Sequence, residues 1–114
     1  MFSVLWHLLL WSLRRRRGFV VSGDSMRPLL RPGDIVLINP TAAPKPGDVL
    51  LTRHPFRTDV DIIKRLRHIT EDGDLFVVGD NQADSTDSRT FGAISPGLLH
   101  GQVVLRLTSG LKTC

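Results

Sequence analysis

Ser25 stands in the run Ser22-Gly23-Asp24-Ser25-Met26-Arg27-Pro28-Leu29-Leu30-Arg31-Pro32-Gly33-Asp34, between a glycine-bearing approach and a proline turn. A serine hydroxyl is a weak nucleophile by itself, so chemistry at Ser25 requires a base from elsewhere in the chain. The histidines offer no clear partner. His54 precedes Pro55 in an expected loop, His100 adjoins Gly101 in an expected turn, His68 falls near the end of a long strand, and His7 lies in the apolar N-terminus. Arginine does not release its proton in proteins, which leaves Lys45, Lys64 and Lys112 beside twelve arginines. Lys45 belongs to a proline-rich loop and Lys112 to the tail, where both are expected to be solvated. Lys64 is embedded in Val60-Asp61-Ile62-Ile63-Lys64-Arg65-Leu66, and strand alternation puts it on one face with Val60, Ile62 and Leu66. Desolvation by such neighbours is the means of bringing an amine from a pKa of about 10.4 to the ~7–8 that a general base needs. By the strand pattern alone, a lysine that snorkels at a sheet edge is the commoner outcome.

The elements that must position these groups are strands. After Gly18 the chain consists of short runs of valine, isoleucine and leucine separated by glycine, proline and aspartate, with no sustained helical period. Strands are expected over Phe19–Ser22, Asp34–Asn39, Asp48–Arg53, Val60–Ile69, Leu75–Val78 and Gln102–Leu107. Two share a lead-in, Arg31-Pro32-Gly33-Asp34 and Lys45-Pro46-Gly47-Asp48. Proline then glycine suits the two central positions of a type II turn, whose second residue needs positive φ. Asn39–Pro46 reads as a loop, and Ala83–Arg89 as a polar loop dense in hydroxyls and carboxylates.

A chain of 114 residues with net charge +4 holds one small domain. Its basicity is local. Without Arg14, Arg15, Arg16 and Arg17, eleven basic residues face eleven acidic ones, so a general nucleic-acid-binding face is not expected. The one cysteine is Cys114, the last residue, which is compatible with a reducing compartment. Residues 1–13 are apolar except for Ser3, His7 and Ser12; as a helix they would rise about 20 Å, short of the ~30 Å hydrocarbon core. A cleaved signal peptide carries its charge before the apolar run, whereas here the arginines follow it. The segment therefore reads as an interfacial anchor or as a short hydrophobic helix docked on a protein surface. Arginine clusters stay on the cytoplasmic side, which puts the domain in the cytoplasm, at most at the inner face of a membrane.

Three segments, in order, resemble the S26 family of serine proteases, the signal peptidase I family, which uses a serine-lysine dyad. Gly23-Asp24-Ser25-Met26-Arg27-Pro28 with Gly33-Asp34 resembles the nucleophile motif; Lys64-Arg65-Leu66 matches the lysine motif; Gly79-Asp80-Asn81 with Ser85-Thr86-Asp87-Ser88-Arg89-Thr90-Phe91-Gly92 resembles the C-terminal box. The resemblance implies a mostly β, small signal-peptidase/repressor-protease-like β-barrel domain over 18–108, between the hydrophobic segment 1–17 and a tail, 109–114. It implies Ser25 as nucleophile and Lys64 as general base, with Ser85 orienting the lysine, Asp87 and Arg89 as a supporting ion pair, and no metal or nucleotide. Met26 belongs to the nucleophile motif. Some relatives carry a serine donor two residues before the nucleophile. Here that position is Gly23, which leaves the Ser25 backbone N–H as the oxyanion donor. Leu29 replaces the family's usual threonine, and Arg67-His68-Ile69 replaces its glycine-proline-glycine.

Within the family, Arg53-His54-Pro55 and Asp84–Gly92 look most like the proteases associated with maturation of nickel-type superoxide dismutase. The implied function is removal of an N-terminal leader from a precursor protein, a nickel-type dismutase precursor in that subgroup. The alternative is a signal peptidase or inner-membrane-peptidase-like protease acting on presequences. Two further readings compete: a non-catalytic module that binds a membrane surface or nucleic acid through residues 1–17, and a self-cleaving repressor-type domain. The absence of an N-terminal DNA-binding helical domain counts against the last.

Overall fold

In the computed structural model, residues 17–107 are described together with Val4, His7 and the backbone of Lys112–Thr113. The hydrophobic helix expected over residues 1–13 lies outside them except at Val4 and His7. Among the described residues no helix is long and apolar enough to cross a membrane.

The mostly β expectation holds. Strands β1 (Arg17–Val20), β2 (Ile35–Asn39), β3 (Val49–Arg53), β4 (Asp61–Ile69), β5 (Leu75–Val78), β6 (Leu99–Arg106) and β7 (Lys112–Thr113) form one sheet. Its order is β1-β2-β6-β3-β4-β5, with β7 pairing β6, and every pairing is antiparallel. Register shifts in the β2–β6, β3–β6 and β4–β5 pairings bend the sheet.

The two proline-glycine turns have the expected form. Asp34 N–H donates to Arg31 O and Asp48 N–H to Lys45 O, each at 3.0 Å, and Gly33 and Gly47 have φ of 90° and 96°. Each aspartate also closes its turn from the side chain, accepting from the N–H of Arg31 at 2.9 Å or Lys45 at 2.8 Å. The visible disagreement is in β6, which begins at Leu99 rather than Gln102. Gly101, expected in a turn, is a strand residue over which β2 passes closely. A Cβ there would lie 2.5 Å from Asn39 O, so glycine is required by contact and His100 sits in a strand.

Both faces of the sheet are buried. Val49, Leu51 and Ile63 face a cluster that includes Met26 and Leu30, while Leu50 and Leu66 face Leu75, Val77 and Ile94, with Phe91 and Leu98 packed on them. One face is thus covered by the segment bearing Ser25, and the other by the segment bearing the hydroxyls and carboxylates of residues 79–98. Met26 and Leu30 are fully buried, which at about 1.5–3 kcal/mol for a side chain of this size is what holds the Ser25 loop onto the sheet.

Candidate active site

Ser25 lies between two anchors. Its loop is closed at the base by Val21 N–H to Asp34 O and Gly33 N–H to Val21 O, each 2.8 Å, and the next residue, Met26, is 2 % exposed in the core. Met26, a member of the nucleophile motif, thereby pins the backbone that carries the hydroxyl. Gly23, at φ 78°, lines the same groove as Ser25. This groove, of about 340 Å³, is also lined by Phe19, Ser22, His54 and Lys64.

Lys64 arrives from the middle of β4, opposite Leu50 of β3. It is 5 % exposed, so it is buried, where an edge-snorkelling lysine would keep its head in water. Nζ donates to Ser85 Oγ at 3.1 Å, and Ser85 Oγ donates to Asp87 Oδ2 at 2.8 Å. Because the Ser85 proton is directed to Asp87, its oxygen presents only lone pairs to the amine and takes one lysine hydrogen. Burial lowers the Lys64 pKa from its ordinary value; Asp87 opposes this and Arg89 adds to it.

Asp87 is the hub. Oδ2 accepts from Gly79 N–H at 2.9 Å and Arg89 Nη2 at 2.7 Å as well as from Ser85. Oδ1 accepts from the Arg89 backbone N–H at 3.1 Å and Nε at 2.9 Å. Burial by itself would raise its pKa, but the Arg89 side chain, then the Gly79 N–H and the Ser85 hydroxyl, outweigh it and hold the carboxyl well below the usual carboxylate range. Asp87 also caps the short helix α1 (Ser88–Phe91). The next residue, Ser88, accepts the Val77 N–H at 2.9 Å and ties α1 to β5.

Ser25, Gly23 and Lys64 thus share one groove, with Ser85, Asp87 and Arg89 in a chain behind the amine. The Lys64 amine is bonded to Ser85 rather than to Ser25. Catalytic hydrogen bonds commonly tighten only in the complex with substrate, so this geometry is compatible with proton transfer across the groove.

Three residues acquire roles that their positions in the sequence did not reveal. A Cβ on Gly79 would lie 2.2 Å from Ser85 Oγ and 2.7 Å from Ser25 O, so only glycine lets the two loops meet. Asn81 reaches back 57 positions to the Ser25 loop. His54 lines the groove, but its Nδ1 accepts the Phe56 and Arg57 N–H groups at 3.0 and 3.1 Å. With Nδ1 engaged the proton sits on Nε2 and no lone pair is free to serve as a base. Burial, then Arg57 and Lys64, lower its pKa. The other histidines are occupied elsewhere: His68 stacks on Phe76 at 4.7 Å and His100 pairs with Asp61 at 2.9 Å. Among the described residues no cluster of His, Cys, Asp or Glu is arranged to hold a metal ion.

The family model described as Peptidase S24-like matches residues 15–92. Among curated proteins, mitochondrial inner membrane protease subunit 1 of Saccharomyces cerevisiae is 38 % identical over 74 residues, covering 64 % of this chain and 35 % of the relative. Subunit 1 of Xenopus tropicalis is 27 % identical over 111 residues, covering 77 % and 66 %. Subunit 2 of Danio rerio is 32 % identical over 107 residues, covering 72 % and 58 %. The chain therefore spans between 35 % and 66 % of the length of these relatives.

Proposed function

We propose that this chain, which belongs to the Peptidase S24-like family, is a serine endopeptidase that removes an N-terminal presequence from a precursor protein, with Ser25 and Lys64 as its dyad. Membership supports peptidase activity; the nucleophile, the base and the substrate are our assignments. The observation that carries them is the buried Lys64 amine in the groove of Ser25, held from behind by Ser85 and Asp87. A module that only docked on membranes or nucleic acid would gain nothing from burying a lysine, which costs stability in its charged form.

Neutral Lys64 takes the Ser25 proton as Oγ attacks the scissile carbonyl, and the carbonyl oxygen gains negative charge next to the Ser25 N–H. Collapse of that intermediate breaks the C–N bond, and Lys64 returns the proton to the leaving amine. Lys64 then takes a proton from water, whose oxygen attacks the acyl ester and releases Ser25 with its hydrogen. Asp87 stays ionised throughout, with Arg89 compensating its charge.

The names of the relatives favour the inner-membrane-peptidase-like reading of the substrate, a presequence presented at a membrane surface. The nickel-type dismutase precursor rests on Arg53-His54-Pro55 and the Asp84–Gly92 stretch alone. To test both, parent, Ser25→Ala and Lys64→Ala are incubated with presequence-bearing precursors, a nickel-type dismutase precursor included, and the products are read by mass spectrometry. The parent is expected to release a defined new N-terminus, and each variant to lose about 10²–10⁴-fold or more in rate. Undiminished cleavage by either variant would sink the dyad, while the precursor cleaved fastest identifies the substrate class.

A further inference from the structure

We propose that Asn81 is the positioning residue of the oxyanion hole: its side-chain amide holds the Asp24 carbonyl and thereby aims the Ser25 N–H into the groove. This rests on the reading of Ser25 as the nucleophile. The Asp24 C=O and the Ser25 N–H belong to one planar trans peptide and point in opposite directions, so fixing the oxygen fixes the hydrogen. Asp24 O accepts from Asn81 Nδ2 at 3.1 Å and from the Arg27 N–H at 3.1 Å, which uses both of its lone pairs. The following peptide is held by the same residue, because the Asn81 N–H donates to Ser25 O at 2.8 Å. One asparagine therefore grips the peptide on each side of the nucleophile.

The amide is itself oriented. Its other hydrogen goes to Asp84 Oδ2 at 3.2 Å, so the amide plane is set from two directions. The Ser25 N–H finds no acceptor among the described residues, as expected of a donor kept for a developing oxyanion. Gly23 supplies no side-chain hydroxyl, so the hole leans on this backbone N–H and its aim matters. Without the grip, rotation of the Asp24–Ser25 peptide would turn the donor away while leaving Ser25 Oγ and Lys64 in place.

The test uses the full chain and a presequence peptide that the parent cleaves. For Asn81→Ala and Asn81→Asp, kcat, KM and the affinity of a matching peptide aldehyde are measured. The aldehyde adds Ser25 Oγ to its carbonyl carbon, and the carbonyl oxygen takes the place of the oxyanion. Both variants are expected to lose about 10–100-fold in kcat with KM within about twofold, somewhat less than deletion of a hole donor. Aldehyde affinity should fall in proportion to kcat. Asp84→Ala, which keeps the amide but frees its rotation, should show the same pattern at smaller size. A merely structural clasp would instead lower the unfolding midpoint and weaken peptide and aldehyde binding equally, and that result overturns the inference. So does a kcat within twofold of the parent in both Asn81 variants. If those variants do not fold, an unchanged kcat for Asp84→Ala overturns it. Ser25→Ala separates the two levels: cleavage by that variant removes the nucleophile reading, whereas an inert Ser25→Ala beside fully active Asn81 variants removes only the role of Asn81.

Discussion

Under the proposed dyad, Lys64 is the residue at which stability and function oppose each other. Burial lowers its folded-state pKa, so between that value and the unfolded one the unfolded chain binds more protons, and stability rises with pH across the interval. At neutral pH the charged form is a burden to the fold. Lys64→Met keeps the length and removes the charge, so it is expected to abolish cleavage and yet stabilise the domain by about 1 kcal/mol, or ~4–8 °C in the unfolding midpoint. Parallel thermal melts and cleavage assays at pH 7 check this, and a melt lower than the parent's would refute it. Activity of the parent should rise with pH as Lys64 loses its proton, with a midpoint below that of an ordinary lysine. Asp87 gives the same slope, stability rising with pH, but in the acid range and as a gain rather than a burden. Its folded pKa is depressed, so its contribution is complete at neutral pH and is lost as pH falls below the ordinary carboxylate range. Gly79 is the steric counterpart of these charges. Gly79→Ala places a methyl where Ser85 Oγ stands and is expected to lower kcat by 10²-fold or so through displacement of about 1 Å. Activity near that of the parent would show that the two loops part without consequence.

At the scale of elements, turns and strands were legible because their causes are local. Proline-glycine at 32–33 and 46–47 fixes a turn whatever surrounds it, and alternation in β4 separates Ile62, Lys64 and Leu66 from Ile63 and Arg65 using adjacent residues alone. These turns also give a contrast with Gly79. Nothing lies within 4 Å of a Cβ at Gly47, but its φ is 96°, so Gly47→Ala strains only the backbone. About 1–2 kcal/mol of stability should be lost in denaturant titrations with cleavage unchanged. The start of β6 was not legible, because Gly101 punctuates a strand only by virtue of Asn39 passing over it, and no local pattern carries that fact. The bends at the register shifts were hidden for the same reason. They depend on which strands pair.

The whole molecule divides its charge unevenly, with Arg14–Arg17 beside an apolar N-terminus and a neutral body behind. Peripheral membrane contact through residues 1–17 is the expectation that follows, in keeping with relatives named for an inner membrane. The full chain should therefore co-sediment with anionic vesicles in low salt, at about 1 kcal/mol for each arginine near the surface, and release as salt rises. Replacing Arg14–Arg17 by glutamine should weaken binding about 100-fold or more while leaving cleavage of a soluble peptide intact; vesicle binding unaffected by salt and by the replacement would refute the contact.

Sequence alone determined the mostly β architecture and the twin turns, and singled out Ser25 and Lys64 as the pair proposed here, since residue type, period and motif order are properties of neighbours along the chain. Tertiary structure alone decided that Lys64 is buried rather than snorkelling, that the lone pair of His54 is engaged, and that Gly79 is a contact point. It also decided that Ser85 stands behind a lysine 21 positions away and that Asn81 grips a loop 57 positions away. These facts depend on β4 lying between β3 and β5 and on the segments that cover both faces of the sheet. Such long-range pairing is set by packing of the whole core, which no window of sequence contains.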